Sequence, residues 1–447
     1  MKLKTIKDNT SYKKAELAEI SGLTDRIADR TLEQLEQEGI FVFPDLVKDA
    51  EDITRDQMIL QSVNDAFRTG NVMGFVGYGD ERLTIRSRFS EKDNDWFFQY
   101  LLEKMLGFPN IVDLETDADQ ENDRLFSFLT FLFPRYLRAA LRKGPYKQYV
   151  RNEYNDENVK GTIDVDRHIE KNIPFVGNIA YHQREFSFDN PMMELIRHTV
   201  EFIRKRLCER HLLDKVMDEI GLVTAATPGY ALHDRQRIIG ANKKNTIRHA
   251  YFREYRALQR LCLLILQHRK HRIGTGSRQI YGVLIDGAWL WEEYVYSLIK
   301  ERFEHPMNKG KSGAQRLFGG GYGEIYPDFI SKNSTERIIA DAKYKPLGNI
   351  GGKDYLQVLA YMFRFDAKKG FYLYPEAEKN EDLTLWLNRG TTFDGNVSQR
   401  DDICIIKHGF MIPKGVPDYS DFALKMEESE KDFGSVFGTQ NPTSTAE

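Results

Sequence analysis

Two carboxylates and a lysine in the last third of the chain have the types and spacing for metal-assisted chemistry. Asp328 follows Pro327, and thirteen positions beyond it comes Asp341-Ala342-Lys343. The runs that carry them, Ile325-Tyr326-Pro327-Asp328-Phe329-Ile330 and Ile338-Ile339-Ala340-Asp341-Ala342-Lys343-Tyr344, are rich in β-branched and aromatic residues, as strands are. Side chains at i and i+2 of a strand share a face, so Asp341 and Lys343 project together. The polar link over 331–336 predicts a hairpin that brings Asp328 beside them. Two acids so placed, with the Ala342 carbonyl between them, make an oxygen-rich site suited to Mg²⁺, with Mn²⁺ able to substitute. Lys343 can then position or deprotonate a metal-bound water, or offset charge on a phosphorane-like transition state. Metal-assisted phosphodiester hydrolysis requires such a set. A Pro-Asp ahead of an Asp-x-Lys is also frequent by chance, so the flanking elements decide its weight.

Those elements point the same way. A predicted helix over 353–365 carries Gln357 and Tyr361 at i and i+4, on one face and able to point back at the acids. Upstream, Glu292 sits among Leu290, Trp291, Tyr294 and Val295 on an apolar helix face. A partly buried acid there needs a partner, which a metal or its bound water can supply. Beside Glu293 it also reads as a surface acid.

Two basic stretches lie upstream. Arg135, Arg138, Arg142, Lys143, Lys147 and Arg151 follow one another with no acid between 135 and 151. Residues 233–273 hold eleven lysines and arginines against Asp234 and Glu254, although the whole chain carries a net charge of −3. Tyr136, Tyr146, Tyr149, Tyr251, Phe252 and Tyr255 interleave with these charges. Concentrated positive charge of this kind is the footprint of phosphate-backbone contact, and it makes Arg135, Arg138, Arg142, Lys143, Lys243, Lys244 and Arg248 candidate contacts to double-stranded DNA. The alternative is a solvated helix face that pairs with the six acids of 113–123. That acidic run reads as a solvated loop; as a Ca²⁺ site it lacks the glycine and spaced ligands. Gly310-Lys311-Ser312 mimics the end of a P-loop, but His305 stands where the first glycine should be. No nucleotide is therefore expected on this chain, and any NTP energy must come from another. His268 and His271 have no acid or cysteine to complete a zinc site.

Composition sets the frame. The 447 residues are 41% hydrophobic and 29% charged, enough for about three globular domains and against disorder. No run of about 18 apolar residues exists to cross a membrane, and Met1 to Asp8 show no apolar h-region or small-residue cleavage site, so secretion is not expected. Cys208, Cys262 and Cys404 are too few and too scattered for a disulfide scaffold or a four-cysteine zinc site, and they suit a reducing cytoplasm. Periodicity divides the chain into five parts. Residues 1–60 form a helical segment, read either as a winged helix or as a small helical subdomain packed on its neighbour. Residues 61–124 form a β-containing N-terminal domain with a hairpin at Gly79-Asp80, and 125–277 a mainly helical basic region. Residues 278–415 carry the acids, and 416–447 read as a polar, flexible tail.

The order of these motifs resembles a known family. Leu290-Trp291-Glu292-Glu293-Tyr294-Val295, Tyr326-Pro327-Asp328-Phe329-Ile330, Ala340-Asp341-Ala342-Lys343-Tyr344-Lys345, Asp354-Tyr355-Leu356-Gln357-Val358-Leu359-Ala360-Tyr361 and Leu373-Tyr374-Pro375 occur in the order seen in McrC. McrC is the nuclease subunit of the McrBC modification-dependent restriction system. Gly161-Thr162-Ile163-Asp164 and the stretch from Ile179 to Asn190 resemble the family's middle segment, and Gly77 to Phe89 its N-terminal β region. Gly74-Phe75-Val76-Gly77 with Ser87-Arg88-Phe89 is closer to LlaJI-type relatives. The likeness is strong over about 278–376, extends over about 70–205, and is absent from the first 45 residues and the tail.

The resemblance implies an α/β, multidomain chain whose C-terminal PD-(D/E)xK core has a mixed sheet flanked by helices. It implies that Asp328 and Asp341 bind the metal, that Lys343 is the catalytic lysine, that Gln357 and Tyr361 are accessory, and that Glu292 completes the metal shell. It further implies an AAA+ GTPase partner, a McrB-like hexameric ring that reads and translocates DNA. An N-terminal element of this chain, within 61–124, would engage that ring and stimulate it. Trp291 stands where a phenylalanine is usual. Two other readings stay open: a non-catalytic DNA-binding or scaffolding protein, and a stand-alone repair-type nuclease of the same fold.

Overall fold

The computed structural model describes residues 2–44, 57–91, 94–106, 118–206, 210–247, 249–273, 280–306, 313–378, 381–390 and 397–437. The chain is α/β and folds as two compact units, Met1–Asp117 with Thr275–Glu447, and Ala118–Gly274.

In the first unit a five-stranded sheet runs in the order Lys2–Lys7, Glu81–Arg86, Val72–Tyr78, Tyr281–Asp286 and Ile40–Phe43. The Gly79-Asp80 hairpin forms as expected, with Gly79 at a positive φ of 60° that suits glycine in a two-residue turn. The fourth strand comes from far along the chain, and its close approach requires Gly74, where a Cβ would lie 2.1 Å from the Val283 carbonyl oxygen. The two short helices Ser21–Ile27 and Leu32–Glu38 bury Leu23, Ile27, Leu32 and Leu35 with Ile6, Val76, Leu83 and Leu284 of the sheet. They therefore pack on their neighbour, and the strand that follows is a sheet member with all four residues buried, not a free wing.

The second sheet of this unit is mixed, in the order Phe303–Glu304, Phe329–Ser331, Ile338–Ala342, Lys369–Glu376, Val397–Met411 and Leu383–Gly390. Phe329–Ser331 pairs antiparallel with Ile338–Ala342, the expected hairpin, while Ile338–Ala342, Lys369–Glu376 and Val397–Met411 run parallel. Helix Lys353–Arg364 crosses between the first two parallel strands and buries Val358, Tyr361 and Met362 against Ile339, Tyr372 and Ile405. On the other face, helix Gly287–Ile299 is pinned by the Trp291 indole N–H, which donates to the Leu373 carbonyl at 3.0 Å. Phe410 packs there against Trp291, Tyr294 and Phe433.

Phe433 belongs to the segment expected as a flexible tail, most of which is instead helix Tyr419–Ser435. Asp418 caps it, and Phe422, Met426 and Phe433 recur on one buried face. Glu430 accepts hydrogen bonds from the hydroxyls of Tyr100, at 2.7 Å, and Tyr294, at 2.9 Å.

The second unit holds helices Ala118–Leu141, Val165–Lys171, Pro191–Arg204, Met217–Ala226, Arg235–Lys244 and Arg253–Ile273. It is not helical throughout: Gln148–Asp156, Ile179–Ser187 and Thr162–Ile163 form an antiparallel sheet, with Ile179–Ser187 central. The acidic run also departs from expectation. Its part over 113–117 lies outside the described residues, and from Ala118 onward it is helix, not loop.

Candidate active site

Asp341 and Lys343 stand where the parallel strand Ile338–Ala342 ends. Asp341 pairs in register with Tyr372 and so faces the same side as helix Lys353–Arg364. Its carboxylate is buried, and Lys343 Nζ lies 2.6 Å from Asp341 Oδ2. The Lys343 backbone N–H donates to Leu373 at 2.9 Å, so the strand pairing continues to the residue that carries the amine. Asp328 precedes the neighbouring strand Phe329–Ser331, and its Oδ2 accepts the Ala342 N–H at 2.8 Å. That bond joins the two strands at the residue between the acid and the lysine.

Helix Lys353–Arg364 supplies the rest. Gln357 Oε1 accepts from Lys343 Nζ at 3.3 Å, while Gln357 Nε2 donates to the Tyr361 hydroxyl at 2.7 Å. Asp354 takes Lys345 at 2.7 Å and stands 4.0 Å from Lys343. Burial disfavours the Lys343 ammonium, but the carboxylates of Asp341, Asp328 and Asp354 outweigh it and raise the pKa above that of an ordinary lysine. At neutral pH Lys343 is therefore a cation. It donates hydrogen bonds to Asp341 and Gln357.

Glu292 is buried on helix Gly287–Ile299, but it faces a partner that the sequence reading missed. His305 Nδ1 is 2.9 Å from the Asp328 carbonyl oxygen, which can only accept, so this nitrogen carries the proton. His305 Nε2 lies 3.4 Å from Glu292 Oε1. The ring packs between Tyr296, 5.0 Å away, and Phe329, 5.3 Å away. One imidazole thus touches two of the expected metal-shell residues at once. The signal that could have exposed it was the need of Glu292 for a polar partner.

The structure brings Asp328, Asp341, Ala342, Lys343, Gln357 and Tyr361 together, and it places Glu292 beside His305. Among the described residues no group of three or more His, Cys, Asp or Glu side chains is gathered as a metal cluster. The oxygen donors on these adjoining strands are the Asp328 and Asp341 carboxylates and the Ala342 carbonyl. These are hard oxygen donors, and their chemistry fits Mg²⁺ or Mn²⁺ rather than a softer ion.

The basic candidates lie in the second unit and are not equivalent. Arg138 Nε is 3.2 Å from Glu219, and Lys143 Nζ is 2.7 Å from Glu254, so both charges are paired within the unit. Arg135, Arg142, Lys243 and Lys244 are exposed, as Arg138 and Lys143 also are, and Arg248 lies outside the described residues. Gly310-Lys311-Ser312 also lies outside them.

The family model for the McrBC 5-methylcytosine restriction system component matches residues 67–375. Similar solved structures include a half-complex from a tetradecameric assembly of Thermococcus gammatolerans McrB AAA+ hexamers with bound McrC. That match has 14% identity and a TM-score of 0.42, and it covers 97% of this chain and 99% of the other. A second is the Thermococcus gammatolerans McrBC complex, at 14% identity and a TM-score of 0.28, covering 67% of this chain and 87% of the other. No curated protein matches.

Proposed function

The chain belongs to the McrBC 5-methylcytosine restriction system component family, and from that premise we propose that it is the McrC-type, PD-(D/E)xK DNA endonuclease subunit of a two-component, GTP-dependent restriction system. The observation that carries the reading is the join between neighbouring strands: Asp328 accepts from Ala342, and Asp341 and Lys343 flank that same residue. Asp328, Asp341 and the Ala342 carbonyl would hold Mg²⁺, which when bound activates water and polarises a phosphodiester.

The chain's own residues do the rest. Lys343 keeps its proton and meets the charge that builds on the phosphoryl oxygens as the bond to the leaving oxygen breaks. Gln357 steadies the ammonium through Oε1, and Tyr361 steadies Gln357. The partner is an AAA+ GTPase of the McrB kind, which reads and moves double-stranded DNA, and this chain stimulates it.

The test is cleavage of 5-methylcytosine-bearing plasmid by the purified chain with a McrB-type GTPase, GTP and Mg²⁺. Asp341→Ala and Lys343→Ala should each lower cleavage by about 10³-fold or more while leaving the partner's GTP turnover stimulated. Full-rate cutting by Asp341→Ala would remove the assignment.

A further inference from the structure

We propose that the two-stranded ribbon Gln148–Asp156 with Ile179–Ser187 carries a binding platform for the exposed bases of single-stranded nucleic acid. The proposal goes beyond the nuclease reading and does not depend on it.

Residues directly opposite in this ribbon share a face, and one face carries Tyr149 opposite Phe186 and Arg151 opposite Arg184. Farther along that face the charged and polar side chains are paired. Arg167 and Asp164, from helix Val165–Lys171 and its cap, reach Glu153 at 2.7 Å and His182 at 2.6 Å. At the other end it is open. Tyr149 is 65% exposed and Phe186 56%, with ring centroids 5.0 Å apart. Lys147 Nζ stands 4.1 Å from the Phe188 ring centroid and 5.6 Å from that of Phe186, and the Arg184 guanidinium lies 5.6 Å from that of Tyr149.

Two features of this surface are costly when it is empty. Large aromatic rings are left in water, and like charges face each other across a strand pair. Among the described residues neither Arg151 nor Arg184 takes a carboxylate partner. Both costs are relieved by a ligand that is at once polyanionic and flat. A nucleic acid strand with unstacked bases is such a ligand: bases stack on the rings and phosphates meet the cations. A duplex offers the phosphates but hides the base faces. An acidic peptide offers charge without flat rings.

The test uses the full chain, with EDTA present so that no cleavage occurs. Fluorescence anisotropy is read with a labelled mixed-sequence oligodeoxynucleotide, single-stranded or annealed to its complement. Tyr149→Ala and Phe186→Ala should each weaken single-strand binding about tenfold, with Tyr149→Phe restoring it and the duplex changing much less. Arg151→Ala with Arg184→Ala should weaken both forms and flatten the salt dependence by about one to two units of slope. The proposal is overturned if the aromatic variants bind the single strand as tightly as the parent. It is equally overturned if they lose duplex and single strand alike, or lose affinity only for anionic phosphatidylserine vesicles or for the GTPase partner. Failure of Asp341→Ala to abolish cleavage would leave this result untouched, so the two readings fail separately.

Discussion

The hydroxyls of Ser87 and Tyr344 lie 2.7 Å apart although 257 residues separate them in sequence. Tyr344 follows Lys343 directly, and Ser87 follows the strand Glu81–Arg86, so this bond ties the five-stranded sheet to the strand that carries the amine. The neighbourhood is buried and charged. Arg88 lies 4.8 Å from the Tyr344 ring centroid and pairs with the fully buried Asp8, while Phe89 packs edge-on at 5.3 Å. The Tyr344→Phe and Ser87→Ala variants should each lose about 1–2 kcal/mol of stability. In a double-mutant cycle read by denaturant unfolding the pair should couple by about 0.5 kcal/mol or more. Strictly additive losses would mean that the hydroxyls do not act together.

His305 offers a second test, because one ring serves two residues. The His305→Phe variant keeps the packing against Tyr296 and Phe329 but leaves the Asp328 carbonyl and the Glu292 carboxylate without the imidazole. Partners that orient metal ligands typically contribute 10–100-fold to metal affinity, so Mn²⁺ binding by calorimetry should weaken by about tenfold. The Tm should fall only modestly, since one buried hydrogen bond is worth about 1–3 kcal/mol when broken. An unchanged Mn²⁺ affinity would reduce His305 to a packing residue.

The legibility of the site follows from the range of its contacts. The strand carrying Asp341 and Lys343 could be read because alternation is a local signal, and the helix face holding Gln357 and Tyr361 because i and i+4 spacing is local too. His305 could not be, since its contacts to Glu292 and Asp328 cross two elements and leave no local pattern. The helix Tyr419–Ser435 was hidden by composition: its many acids outweigh Phe422, Met426 and Phe433, yet those three suffice to bury one face. In the second unit the ribbon strands place charged or aromatic residues on their exposed positions, which masks the alternation of a strand. The run of positive charge there was plain, but which charges are paired was not. Arg138 and Lys143 find Glu219 and Glu254 more than eighty residues away in sequence.

Asp95 makes stability depend on pH in an unusual direction. It stands just before helix Trp96–Leu106, and its Oδ2 accepts the Ser87 N–H at 2.8 Å. Burial pushes its pKa up to about 7, against the pull of the Ser87 N–H and Arg86, from an unfolded value near 3.8. Between about pH 4 and pH 7 the folded protein keeps a proton that the unfolded chain has released. Through that window the native state binds more protons, so this residue's contribution falls as pH rises and is lowest above pH 7. The difference is on the order of a few kcal/mol. The Asp95→Asn variant retains an oxygen for the Ser87 N–H but cannot ionise. Urea unfolding should find it more stable than the parent at pH 8, with the advantage shrinking steadily toward pH 4. Parallel stability curves for the two proteins across that range would show that Asp95 does not titrate there.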